Sequence, residues 1–192
     1  MSRPRNTIEN QLKDSVRILE EMVSACSGDI QKAANLVIQA VTNGAKVLWC
    51  GNGGSAAQAQ HLSTELVGGL RDHSRPPVAS LSLTTDSSLL TAWSNDITFD
   101  TVFSRQVEAL GQEGDVLMAI STSGNSTNVL KAAEAARKRG IKTIVLTGSD
   151  GGILKQRGDV VIQIPSGDTQ RIQEGHITAG HIICDLVEQA FL

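Results

Sequence analysis

The chain has 192 residues and a net charge of −3, with 40% hydrophobic and 19% charged residues. That is room for one domain with a sizeable core, at the composition of an ordinary globular protein. No basic stripe is present, and the aromatic stock is three Phe, two Trp and no Tyr, so neither a nucleic-acid partner nor a stacking platform is expected.

The opening "MSRPRNTIENQLKDS" lacks an apolar signal core, and no run reaches the length of a membrane span. A cytoplasmic protein with no membrane partner is expected. From Ile8 to Cys26 apolar residues recur at Ile8, Leu12, Val16, Leu19, Met22 and Val23. This is a helix with a narrow apolar stripe, suited to assembly or to packing on its own domain. A second helix fits Asp29 to Asn43, with Asp29 at its start and Asn43-Gly44 at its end. The pattern then changes to short apolar runs at 45–50, 78–83, 115–121, 142–148 and 159–164, separated by helical stretches at 54–69, 86–94, 100–110, 125–139 and 152–157. A last helix fits Thr169 to Phe191. Continuous apolar strands alternating with helices predict an α/β fold: a doubly wound, five-stranded parallel sheet flanked by helices, behind an N-terminal helical hairpin. No linker or repeat divides the chain, so 1–192 is read as one domain. Residues 1–43 form its helical hairpin and 44–192 its α/β core. The three cysteines, Cys26, Cys50 and Cys184, match no zinc or redox spacing and read as small buried thiols.

In such a sheet ligands bind beyond the carboxyl ends of the strands. There the sequence places "GNGGS" after the first strand, "STSGNS" after the third and "TGSDGG" after the fourth. In "STSGNS", Ser121, Thr122, Ser123 and Ser126 surround one glycine just before a helix. A helix N-terminus offers free N–H groups and the positive end of its dipole. One N-cap needs one hydroxyl, and four point to an anion site that uses no Lys or Arg. "GNGGS" is neither a dinucleotide fingerprint, since Ala56 stands where a third glycine belongs, nor a P-loop. Gly53 and Gly54 instead allow close backbone approach to a small substrate, with Asn52 and Ser55 as polar contacts.

His61 and Glu65 are four residues apart on the helix that follows, and so share a face, about 6 Å apart at Cβ. A metal pair, an acid/base pair and a surface contact all fit that spacing. On the last helix Gln173, His176, Gly180 and His181 interrupt an apolar stretch. Gln173 and His181 stand about 12 Å apart along the axis and about 80° around it. They can serve one centre if another helix or subunit, such as that of His61 and Glu65, brings ligands between them. Such N and O donors suit zinc or another divalent ion.

"CGNGGSAAQAQH", "ELVGG", "SND", "FSRQVEALGQEGDVLMAISTSGNSTNV", "LTGSDGG" and "RIQEGH....H" together resemble the phosphoheptose isomerase family of sugar-isomerase (SIS) proteins, over nearly the whole chain from about Gly44. The resemblance implies interconversion of sedoheptulose 7-phosphate and D-glycero-D-manno-heptose 7-phosphate through an enediol, as the first step toward nucleotide-activated heptose for lipopolysaccharide or another glycan. It implies a homotetramer with active sites between subunits. It implies substrate contacts at Asn52, Gly53, Gly54, Ser55, Asn95, Asp96, Ser121, Thr122, Ser123 and Ser126. It implies zinc ligands at His61, Glu65, Gln173 and His181, and a proton-transfer pair of Glu65 and His181. Glu65, Gln173 and Asp168, near the start of the last helix, would also touch substrate. The same family includes a non-catalytic protein that binds the bacterial replication initiator. A pure binder needs neither the carboxylate at 65 nor the imidazole at 181, and this chain has both.

Overall fold

The computed structural model describes residues 3–191, with side chains from Thr7 onward. In chain order the elements are α1 (Arg3–Ala25), α2 (Ser27–Thr42), β1 (Val47–Gly51), α3 (Gly54–Gly68), β2 (Ser80–Ser82), α4 (Ser87–Asp96), α5 (Val102–Leu110), β3 (Val116–Ile120), α6 (Thr127–Lys138), β4 (Lys142–Thr147), β5 (Val160–Gln163) and α7 (Thr169–Gln189), with 3₁₀ turns at Phe99–Thr101 and Leu154–Gln156. The strands form one five-stranded sheet in the order β2-β1-β3-β4-β5, and every pairing is parallel.

β1 and β3 are buried at every residue, as a strand covered on both faces must be. One face of the sheet presents Val47, Trp49, Met118, Ile144 and Ile162 to a core shared with α1, α2, α3 and α7. The other presents Leu48, Cys50, Leu117 and Val145 to α5 and α6. The cysteines are free and buried, and burial pushes the Cys50 and Cys184 thiols up to about 12, which leaves them unreactive.

One local expectation is corrected, and one left open is narrowed. Asp29 does not cap α2. The N-cap is Cys26, without a side-chain bond, and Asp29 lies in the first turn, where its carboxylate pairs with Lys32 at 2.9 Å and complements the helix dipole. The apolar stripe of α1 mostly does not face its own domain. Ile8, Leu12, Val16, Leu19 and Val23 are exposed, and the inward contacts are made by Ile18 and Met22. The buried Arg171 of α7 anchors the helix by donating to the Gln11 carbonyl and the Ser15 hydroxyl, both at 2.6 Å. The docked face of α1 is thus chosen by a few buried contacts with α7, and the longer stripe is left over. No described helix is long and apolar enough to cross a membrane.

Under the carboxyl end of β4 lies His176, fully buried on α7. Its ring nitrogens make no hydrogen bond of good geometry, although the Thr147 backbone lies near enough to favour the proton slightly. Burial dominates and pushes its pKa down from 6.5 to about 4. The unfolded chain therefore takes up a proton that the native state refuses as pH falls through this interval. The stability His176 contributes is complete above about pH 6.5 and lost on the way to pH 4. A series of Tm measurements across that window should fall for the parent chain and flatten for His176→Leu.

Candidate active site

The order of the sheet reverses between β1 and β3, which opens a crevice at their carboxyl ends. The loop after β1 and the loop after β3 meet there through a reciprocal amide pair. Asn52 Nδ2 donates to Asn128 Oδ1 at 2.8 Å, and Asn128 Nδ2 donates back to Asn52 Oδ1 at 2.9 Å. Asn128 is buried on α6. Gly53, with φ +56°, stands just before α3, and Ser55 is buried beneath the loop.

Ser126 occupies the N-cap position of α6, yet its side chain makes no capping bond. Its Oγ lies 3.0 Å from Ser121 Oγ instead. Ser123 Oγ accepts the Asn125 N–H at 3.2 Å, and the Thr122 carbonyl accepts the Gly148 N–H at 3.1 Å. The Ser121 and Ser126 hydroxyls therefore meet at a helix N-terminus without being spent as a cap, a position at which an oxyanion could be held.

The second half of the site comes from α3 packing against α7. That approach depends on two glycines. A Cβ on Gly180 would collide with Leu62 of α3, and a Cβ on Gly54 would collide with the Gln173 amide. Gln58 ties the helices further by donating to the Gln173 carbonyl at 2.7 Å. With the helices this close, His61 Nε2 lies 2.8 Å from His181 Nε2 and 3.4 Å from Glu65 Oε1. The ligand atoms of His61, Glu65 and His181 all fall within 4.8 Å of one another. Two imidazole nitrogens and a carboxylate oxygen facing one point could hold a metal ion. Ligand nitrogens about 3.3 Å apart are what tetrahedral zinc requires, so only a small outward shift of the two rings fits the set to such an ion. Gln173 lies on the same helix as His181, against the glycine loop.

Gly180→Ala should force α3 and α7 apart at Leu62. Overpacking of this kind costs about 1–3 kcal/mol, so Tm should drop and metal affinity with it. A variant with unchanged metal affinity would mean that the helix spacing does not set the ligand geometry.

The remaining expected positions have other surroundings. Asn95 and Asp96 form the exposed last turn of α4, where Asn95 Nδ2 donates to Asp96 Oδ1 at 2.8 Å. Among the described residues no hydrogen bond ties them to the crevice loops. Asp168 is the N-cap of α7, accepting the Gln170 N–H at 2.8 Å, so its residue type is already accounted for by capping. Sequence reasoning gave no role to Asn128, Arg75 or Glu188. Asn128 stands inside the serine-rich loop's own segment, but nothing in its spacing shows that it reaches across to Asn52.

The SIS domain family model matches residues 12–148. A phosphoheptose isomerase of Geobacter sulfurreducens is 50% identical over 182 residues, covering 95% of this chain and 96% of that protein. A phosphoheptose isomerase of Nitratiruptor is 48% identical over 184 residues, covering 96% and 98%. Among solved structures, the phosphoheptose isomerase of Neisseria gonorrhoeae superposes with a TM-score of 0.91 at 43% identity, covering 96% of this chain and 98% of that one.

Proposed function

The chain belongs to the phosphoheptose isomerases of the SIS-domain family, and from that premise we propose that it interconverts sedoheptulose 7-phosphate and D-glycero-D-manno-heptose 7-phosphate by proton transfer through an enediol. The observation that carries the reading is the convergence of His61, Glu65 and His181 within 4.8 Å beside a crevice lined by uncharged phosphate-type loops.

The substrate phosphate sits at the N-terminus of α6, held by Ser121, Thr122, Ser123 and Ser126 and by backbone N–H groups. Asn52, Gly53, Gly54 and Ser55 line the sugar chain, with Asn95, Asp96, Asp168 and Gln173 as further contacts. From Gly54 to His61, α3 advances about 10 Å, a span suited to an extended sugar whose reacting carbons lie far from its phosphate. At that far end Glu65 and His181 exchange protons with the C1–C2 unit and its oxygens, one on carbon and one on oxygen. A carboxylate is basic enough to take a carbon-bound proton only if the resulting negative charge is stabilised. His61, Glu65, Gln173 and His181 would hold a zinc ion, whose chemistry when bound is to supply positive charge for that purpose.

The exposed stripe of α1, running from Ile8 to Val23, supports a homotetramer in which it is covered by other copies. The protein works in the cytoplasm, where heptose phosphates are made and free thiols persist. The test is incubation with sedoheptulose 7-phosphate and chromatographic detection of an aldose heptose phosphate of equal mass. No conversion at high protein concentration overturns the assignment and promotes the initiator-binding alternative, which nothing in the crevice favours.

A further inference from the structure

Among the described ion pairs, the most deeply buried stands outside the crevice. Arg75 and Glu188 have side chains 1% and 2% exposed, and they meet at 2.9 Å. Glu188 lies near the end of α7, and Arg75 lies in the loop between α3 and β2. The Glu188 carboxylate also accepts the backbone N–H groups of Leu70, Arg71 and Asp72 at 2.8, 2.8 and 3.1 Å. Burial pushes this carboxyl up, but Arg75 and the three N–H groups more than offset it and hold it at about 2.

All three nitrogens of the Arg75 guanidinium donate. Its Nε donates to Glu188, its Nη1 to the Pro76 carbonyl, and its Nη2 to the carbonyls of Glu65 and Leu66 at 2.8 and 2.9 Å. The last two acceptors do not need Arg75 in order to be satisfied. The Glu65 carbonyl already accepts the Gly69 N–H, and the Leu66 carbonyl the Val78 N–H, each at 3.1 Å. What the guanidinium adds is a fixed geometry. One rigid plane joins the backbone of Glu65 to Glu188, and Glu188 lies seven residues beyond His181 on α7. Two helical turns later, that is the same face of the helix. A buried ion pair is a weak device for stability, since apolar replacements of equal volume are often as good. It is a strong device for fixing where two helices sit.

We infer that Arg75 and Glu188 are positioning residues for the isomerisation: the pair sets the last turn of α3, and so the Glu65 carboxylate, against His181 on α7. This inference rests on the isomerase reading of the same site. Neither residue touches the reacting groups. Both act through the backbone that carries Glu65.

Two variants test it. Arg75→Lys keeps a cation for Glu188 but cannot span Glu188 and both carbonyls. The double variant Arg75→Met with Glu188→Gln removes both charges while leaving an amide oxygen for the backbone N–H groups of 70–72. Each is compared with the parent by kinetics on sedoheptulose 7-phosphate, by zinc titration of the metal-free protein, and by Tm. Displacing an outer partner of a ligand typically costs about ten- to a hundredfold in metal affinity or activity. The expected result is a loss of that size in zinc affinity and in kcat, with KM near the parent value because the phosphate loops are untouched. A lowered Tm with parent kcat and parent zinc affinity would mean the pair serves the fold alone and would overturn the inference. If the parent itself does not turn over the heptose phosphate, the isomerase reading fails separately, and the zinc affinities still decide. If the parent binds no zinc either, a crystal structure of Arg75→Lys decides: a Glu65 unmoved relative to His181 overturns the inference, and a displaced one supports it.

Discussion

Glu65→Gln is expected to abolish turnover while leaving the protein folded and assembled. General acid–base groups contribute about a hundred- to ten-thousandfold, and loss of the carboxylate's charge also weakens the metal set it shares with His61 and His181. The side chain is 18% exposed, with His61 Nε2 at 3.4 Å, so a neutral amide of the same shape should cost little stability. Initial rates, Tm and mass in solution separate these effects. Near-full activity in a folded Glu65→Gln protein would remove Glu65 from the chemistry. His181→Asn should cause a comparable loss. The double variant should fall little further, because groups that act as a unit are not additive.

Stripping the metal should have an effect of similar size. Dialysis against a strong chelator is expected to silence the isomerase, and stoichiometric zinc to restore it. A divalent cation at a developing oxyanion supplies several kcal/mol of stabilisation, or several orders of magnitude in rate. His61→Ala should mimic the chelator at low zinc and recover in part at high zinc. Its imidazole is one of three described ligating groups within 4.8 Å, and Glu65 and His181 would remain. Full activity in rigorously metal-free protein would exclude the ion from the mechanism.

The sheet and its loops were legible because their signals are local. Runs such as "KVLWC" and "VLMAI" are continuous and apolar, so they could only be strands covered twice, and turn chemistry marked where each stopped. The hydroxyl cluster after β3 was legible because four side chains exceed what one helix cap can use. Spacing raised the question of whether His61 meets His181 and could not answer it, since the approach depends on Gly180 admitting Leu62 across 118 residues of chain. The stripe of α1 left two uses open, assembly or packing on its own domain, because periodicity carries no information about which neighbour a face meets. The Asn52–Asn128 and Arg75–Glu188 pairs were invisible for a different reason. Each joins two polar residues distant in sequence, and a polar residue in a loop is solvated unless the fold supplies its partner.

α7 is the last helix of the chain and brings His181 and Gln173, whereas the serine loop, the glycine loop, His61 and Glu65 all precede it. α7 also packs Ile172, Ala179, Ile183, Cys184 and Val187 into the core on one face of the sheet, and a domain folds as a unit. Bringing His61, Glu65 and His181 within reach of one another is therefore the same event as closing that core, and a chain whose α7 is undocked has no such set.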